Sequence, residues 1–419
     1  MNNYCIGVGG NEQSCAKCHI GFGVMGHEGI ESTLPANVDC MVCHDNSAEY
    51  LKGSAMGGYP DRSVNFTKVA QSVGPPQNGN CGACHFYSGG GNNVKHGDLE
   101  EALLEADRTV DVHMGFDGGK MQCIACHTAT NHQMKGRLYS VSSDDLHRGT
   151  CEQCHTATPH LHDVLDQHAA RVACQTCHIP TYAKANATKM TWDWSTAGKL
   201  RDGEPYEVAD SNGNHTYLSI KGDFTWATHV VPEYAWFNGF ADHYLLGEKI
   251  DTADLPVQIN ALFGSHADPQ AKIYPVKVHR GKQIYDAEYH TLIQPRLYAE
   301  HKGDSAYWQD FDWHLAAAAG MRDVSQPYSG HYGFVETEMY WPLNHMVAPA
   351  DEALSCASCH TRKDGRLAAL PDFYMPGRDR VDWLDTLGSA LVWLVLLGVV
   401  SHILARIVLS YKSRRNHNA

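Results

Sequence analysis

NNYCIGVGGNEQSCAKCH, residues 2–19, ends in Cys15, Cys18 and His19, a CxxCH arrangement. This is the attachment signature of c-type haem: two thiols add to the porphyrin vinyl groups and the histidine binds the iron. The pattern recurs at Cys40, Cys43 and His44; Cys81, Cys84 and His85; Cys123, Cys126 and His127; Cys151, Cys154 and His155; Cys174, Cys177 and His178; and Cys356, Cys359 and His360. The seven motifs use 14 of the 15 cysteines and leave Cys5 over. Zinc sites need thiolates in fours, or in pairs with distant histidines, and give no reason for a histidine after every second cysteine. A disulfide framework would leave the histidines idle. The sequence therefore predicts seven covalently held haem c groups.

Haem also accounts for the composition. With 38 Gly, 17 Pro and a mean hydropathy of −0.38 over 419 residues, the chain is short of aliphatic core for its size. Porphyrin faces supply apolar surface that Leu and Ile would otherwise bury. The expected fold is mainly α with much irregular structure, packed around haem, plus one C-terminal transmembrane helix. A net charge of −14 excludes a basic nucleic-acid footprint.

The motifs divide the chain unevenly. Residues 1–180 hold six of them and are expected to form a six-haem domain, whereas 182 residues separate Cys174 from Cys356. Residues 181–345 carry none but contain seven of the nine Trp, in stretches such as TWDWS, DFTWATH and YWQDFDWH. This part reads as an aromatic cover over the haem stack, contributing packing and some strands. Residues 346–385 hold the seventh motif and a connector.

Residues 386–405, TLGSALVWLVLLGVVSHILA, form an uncharged apolar run of 20, long enough to cross a bilayer core. Arg406, Lys412, Arg414 and Arg415 follow, so a span over 386–411 would leave a basic tail, 412–419, in the cytoplasm and the haem motifs outside. His402 within the run is expected near the interface. MNNYCIGVGG has neither a basic nor an apolar leader region, so an upstream segment with the export signal is expected.

A low-spin haem takes a second axial histidine. The chain has 27 histidines, 20 more than its seven motifs need. His96, His113, His132, His160, His168 and His345 lie near motifs in sequence and are the first candidates; His147, His162 and His279 are reserves.

The segments NNYCIGVGGNEQSCAKCHIGFG, VDCMVCHD, VGPPQNGNCGACHFYSGGGNNVKHGDLEEAL, VACQTCHIP, RGKQIYD and NHMVAPADEALSCASCH resemble the octahaem tetrathionate reductase family of c-type cytochromes. The resemblance covers nearly all of residues 2–385. It implies a respiratory reductase whose catalytic haem, the one on Cys15 and Cys18, takes a lysine ligand, Lys95, with a cysteine, Cys5, beside it. The sequence departs from the family in two respects. An eighth CxxCH would lie upstream of the first residue, and Asn92 stands where the family has an acidic residue three positions before the lysine, a site otherwise read as a proton donor.

These readings lead to a membrane-anchored reductase of small oxyanions, with tetrathionate, nitrite and hydroxylamine as substrates, fed by a quinol-oxidising membrane protein. In sulfur chemistry Cys5 would act as a thiolate, the nucleophile that cleaves disulfide-like bonds. A non-enzymatic electron conduit between that donor and other carriers, and an oxidase running the other way, are the alternatives.

Overall fold

The computed structural model describes residues 1–7, 16–18, 20–21, 38–53, 58–136 and 148–417, the side chains of 16 and 415–417 excepted. Cys15, His19 and His147 therefore lie outside the described residues.

The described chain forms two compact units, Met1–Leu354 and Ser355–Ala419. In the first, short helical turns carry the CxxCH motifs: α1 (Asn78–His85) and α3 (Cys174–His178) end on the proximal histidine, with α2 (Asp163–His168) between them. A helical turn suits the motif because residues three and four apart share one face, so the two thiols and the imidazole emerge together.

The expectation of a mainly α fold does not describe the middle of the chain. Residues 188–342 build a nine-stranded mixed sheet. Its strands are β1 (Thr188–Asp193), β2 (Glu207–Ala209), β3 (His215–Leu218), β4 (Gly222–Ala227), β5 (Glu233–Phe237), β6 (Val257–Gln258), β7 (Lys272–Asp286), β8 (Thr291–Leu292) and β9 (Tyr332–Pro342). The order along the sheet is β6-β9-β7-β1-β4-β3-β2, with β5 and β8 also paired to β7. The sequence accounts for this: TWDWS, DFTWATH and EMYWP are runs of β-branched and aromatic residues that suit a pleated, half-buried surface.

Strand β7 is the axis. It runs 15 residues, antiparallel to β9 in register from Val276–Pro342 to Asp286–Tyr332 and parallel to β1 from Arg280–Thr191 to Lys282–Asp193. One end reaches α3, where Ala173 N and Thr176 Oγ1 donate to the Ile273 carbonyl at 3.0 and 2.7 Å. Its middle receives the N-terminus: Asn3 Nδ2 donates to the His279 carbonyl (2.9 Å) and Thr337 Oγ1 to Asn3 Oδ1 (2.8 Å). The aromatic residues mainly pack, as expected: Trp192 stacks on Trp194 at 4.6 Å and Tyr307 on Trp313 at 3.7 Å. Helix α4 (Trp313–Asp323), capped by Asp312 accepting from Leu315 N (3.0 Å), closes the core; Gly320 is needed there because a Cβ would strike the Gln294 carbonyl.

The second unit holds the Cys356–His360 motif on a helical turn and then α5 (Asp382–His417), 36 residues long. Its Asp382–Arg414 stretch is long and apolar enough to cross a membrane, and its Leu, Val and Trp side chains are exposed.

Candidate haem sites and the Cys5–Lys95 site

Four motif histidines face a second imidazole. Ring centres lie 6.2 Å apart for His44 and His132, 6.1 Å for His113 and His155, 6.2 Å for His127 and His345, and 6.5 Å for His160 and His178. An imidazole bound to a metal at about 2.0 Å has its ring centre about 1.1 Å further back, so two rings across one iron stand about 6.2 Å apart. The four separations fit one iron each and exceed any hydrogen bond between the rings.

The tautomers fit as well. Nδ1 of His44 donates to the Gly74 carbonyl (2.9 Å), that of His127 to Lys135 (3.0 Å) and that of His360 to Pro376 (2.7 Å). A carbonyl oxygen only accepts, so the hydrogen is on Nδ1 and Nε2 keeps its lone pair for a metal. His345 Nδ1 meets Asp98 Oδ2 at 3.2 Å and His160 Nδ1 meets Asp166 Oδ1 at 2.8 Å, with the same result.

Neighbouring motifs touch. The Cys18 and Cys84 thiols are within hydrogen-bonding reach of each other, as are Cys81 and Cys123, and Cys151 and Cys174; Cys126 and Cys154 are close enough for their charges to interact, as are Cys43 and Cys81. The motifs thus form a row, Cys174–Cys151–Cys123–Cys81–Cys18, with the Cys40 motif branching at Cys81.

Beside His85 of the Cys81 motif, two segments distant in sequence meet. Residues 89–98 form a loop in which Gly89, Gly90, Asn93 and Gly97 all have positive φ, between 56° and 106°. At Gly97 the backbone runs so close to Tyr182 that a Cβ would lie 2.7 Å from its ring. The Lys95 carbonyl accepts from Tyr4 Oη and from Lys277 Nζ, each at 3.0 Å. Lys277, fully buried, also donates to the Val94 carbonyl (2.9 Å) and to Thr188 Oγ1 (2.5 Å). The Lys95 ammonium sits 4.4 Å from the centre of the Trp341 ring, and burial lowers its pKa to about 8. Burial, together with the nearby Lys95 ammonium, also lowers the pKa of His85.

Tyr4 brings Cys5 to the same place. Its ring packs on His279 at 4.3 Å, and Asn2 Oδ1 accepts from the backbone N–H of both Tyr4 (2.8 Å) and Cys5 (3.0 Å). Lys189 on β1 also interacts electrostatically with Cys5, a neighbour that sequence reasoning missed. Its ammonium lies 4.1, 3.6 and 4.9 Å from the ring centres of Trp192, Phe224 and Trp226, and has no hydrogen-bond or ion-pair partner among the described residues. Burial pulls its pKa down to about 7, and proximity to Cys5 acts against that shift. Nothing in the local sequence TKMTWD distinguishes this lysine; only the sheet brings it to Cys5.

The remaining described sequence candidates face no motif imidazole at the spacing of an axial pair. His96 packs edge-on against Trp341 at 5.0 Å, and burial pushes its pKa to about 3. The His168 Nδ1 donates to the Val164 carbonyl within α2 (2.7 Å), and His162 is exposed just before that helix. His279 is fully buried with neither ring nitrogen hydrogen-bonded. The Asn92 side chain accepts from Glu101 N (2.9 Å) and so serves the start of a helical turn.

Repeated CxxCH turns with opposed, lone-pair-bearing imidazoles define a multihaem c-type cytochrome. The bacterial cytochrome c family model matches residues 189–363. The crystal structure of octahaem cytochrome c from Shewanella oneidensis is 41% identical, covering 90% of this chain and 85% of that one, with a TM-score of 0.81. The chain belongs to this octahaem family of c-type cytochromes, and haem c is its covalently bound cofactor. An uncharacterized protein of Archaeoglobus fulgidus is 28% identical over 137 residues, and the match spans 45% of that protein and 28% of this chain.

Proposed function

We propose that this chain is a membrane-held reductase of small oxyanions, in which Lys95, Cys5 and Lys189 serve one iron, carried by Cys15, Cys18 and His19. The observation that carries this reading is the hydrogen bond from Tyr4 to the Lys95 carbonyl, which joins the Cys5 segment to the lysine loop. The reading also makes His44 with His132, His155 with His113, His127 with His345, and His178 with His160 axial pairs, supported by their spacing. Haem supplies one-electron transfer and, at an open axial position, a place for a small ligand.

The chain's residues do the rest. A buried ammonium at Lys189, held against three aromatic rings, attracts an anion and favours the thiolate form of Cys5. With tetrathionate, the Cys5 thiolate attacks an inner sulfur and the central S–S bond breaks. One thiosulfate leaves and the other half remains as Cys5–S–S–SO3⁻. Two electrons from the donor then break the bond between Cys5 and that sulfur, releasing the second thiosulfate and restoring the thiolate. Nitrite and hydroxylamine, which contain no S–S bond, would be reduced without Cys5. Electrons would come from a quinol-oxidising membrane protein docked where α5 holds the chain, with the haem-bearing part on the extracytoplasmic side.

The test is Cys5→Ser. Its optical spectrum should match that of the unaltered protein, with tetrathionate turnover falling at least a hundredfold and hydroxylamine turnover largely kept. Equal losses on both substrates would refute the nucleophile role. A protein whose haems are all low-spin and bis-histidine as isolated would instead be an electron conduit, the reading favoured by the four histidine pairs taken alone.

A further inference from the structure

The four axial pairs differ in what lies behind the second imidazole. His345 and His160 each give their Nδ1 hydrogen to a carboxylate, Asp98 at 3.2 Å and Asp166 at 2.8 Å. Asp98 is buried and also accepts from Asn344 N (2.7 Å) and His345 N (2.9 Å), so its orientation is fixed. His113 stands apart: Asp111 Oδ1 takes the backbone N–H groups of His113 and Met114, and its distance of 3.8 Å from His113 Nδ1 is beyond hydrogen-bond range. A carboxylate behind a ligating imidazole raises the ligand's basicity, and greater electron donation favours the oxidised metal.

We infer that Asp98 and Asp166 are tuning residues that make the His127/His345 and His178/His160 haems the low-potential members of the row, with the His155/His113 haem between them higher. The inference rests on the axial pairing proposed above. The row runs Cys174–Cys151–Cys123, so along it the potentials alternate low, high, low. The two carboxylates are unequal in situation. Asp98 lies three residues beyond Lys95 on the same loop, so the carboxylate that tunes one haem and the lysine proposed for the catalytic iron are held by one short stretch of backbone. Asp166 is in α2, next to the far end of the row.

Asp98→Asn and Asp166→Asn keep an acceptor for Nδ1 but remove the charge. Potentiometric titration of the full-length, haem-loaded protein, followed optically and by EPR, should show one haem moving to higher potential in each variant. The number of low-spin haems should stay unchanged. Asp111→Asn should leave the haem potentials nearly in place. Unchanged potentials with intact low-spin spectra in both Asp98→Asn and Asp166→Asn would overturn the tuning role while leaving the axial pairs standing. The pairing itself is read separately: His345→Ala and His160→Ala should each convert one low-spin haem to high-spin, and failure to do so in both would remove the basis of the inference.

Discussion

Lys189 carries the sharpest consequence at the scale of single residues. Burial among three aromatic rings holds its pKa at about 7, so it is charged below neutrality and loses that charge as the pH rises through 7. In the proposed reaction this cation favours the Cys5 thiolate and attracts an anionic substrate, so its loss on the alkaline side should lower tetrathionate turnover there. Lys189→Arg, which keeps its proton, should move this alkaline limit upward by more than one pH unit, whereas Lys189→Gln should raise KM for tetrathionate roughly tenfold or more at pH 6. A pH–rate profile of the three proteins would show both effects, and coincident profiles would remove Lys189 from the site. At this scale the sequence was most legible where chemistry imposes local spacing: every CxxCH could be read directly. Four of the six first-choice partner histidines, His113, His132, His160 and His345, face motif imidazoles. Lys189, Lys277 and Asp98 were not legible, because each acts on residues more than 90 positions away and no short pattern records that.

At the scale of elements, the sheet was the largest surprise. The aromatic stretches read correctly as packing, but the mainly α expectation rested on low aliphatic content and on the helical habit of CxxCH turns, and neither bears on residues 188–342. Strand β7 shows what the sheet does for the site. At Gly281 a Cβ would lie 2.8 Å from Thr337 Oγ1 and 3.1 Å from Asn3 Cγ, so the missing side chain makes room for the N-terminal segment. Gly281→Ala would push Asn3 away, and with it Tyr4 and Cys5. Overpacking of this kind typically costs about 1–3 kcal/mol. The expected outcome is a lower melting temperature and lower tetrathionate turnover, with the bis-histidine spectra unchanged; loss of those spectra instead would mean that β7 supports the whole row and not the Cys5 segment in particular.

At the scale of the whole molecule, the haem motifs and the apolar helix fall on separate segments of the chain. All seven motifs precede residue 361, and α5 contributes an apolar helix but no CxxCH. Truncation after Asp385 should therefore give a water-soluble protein with full haem content that is active with artificial donors and inactive with quinol. Haem analysis and the two assays would check this, and loss of haem in the truncated protein would show that the helix has a part in assembly.

Strand β7 also limits how such a chain can change in length. Ile273 meets the Cys174 turn, Lys277 grips the Lys95 loop and His279 underlies Tyr4, all on one unbroken strand. Inserting one residue between Ile273 and Lys277 would reverse the face on which every later side chain emerges, moving Lys277 off its carbonyls and the Tyr4 platform to the wrong side. Growth or shortening over evolutionary time would then be confined to turns such as Asp210–Gly213 between β2 and β3, where an added residue shifts nothing near the iron-bearing motifs.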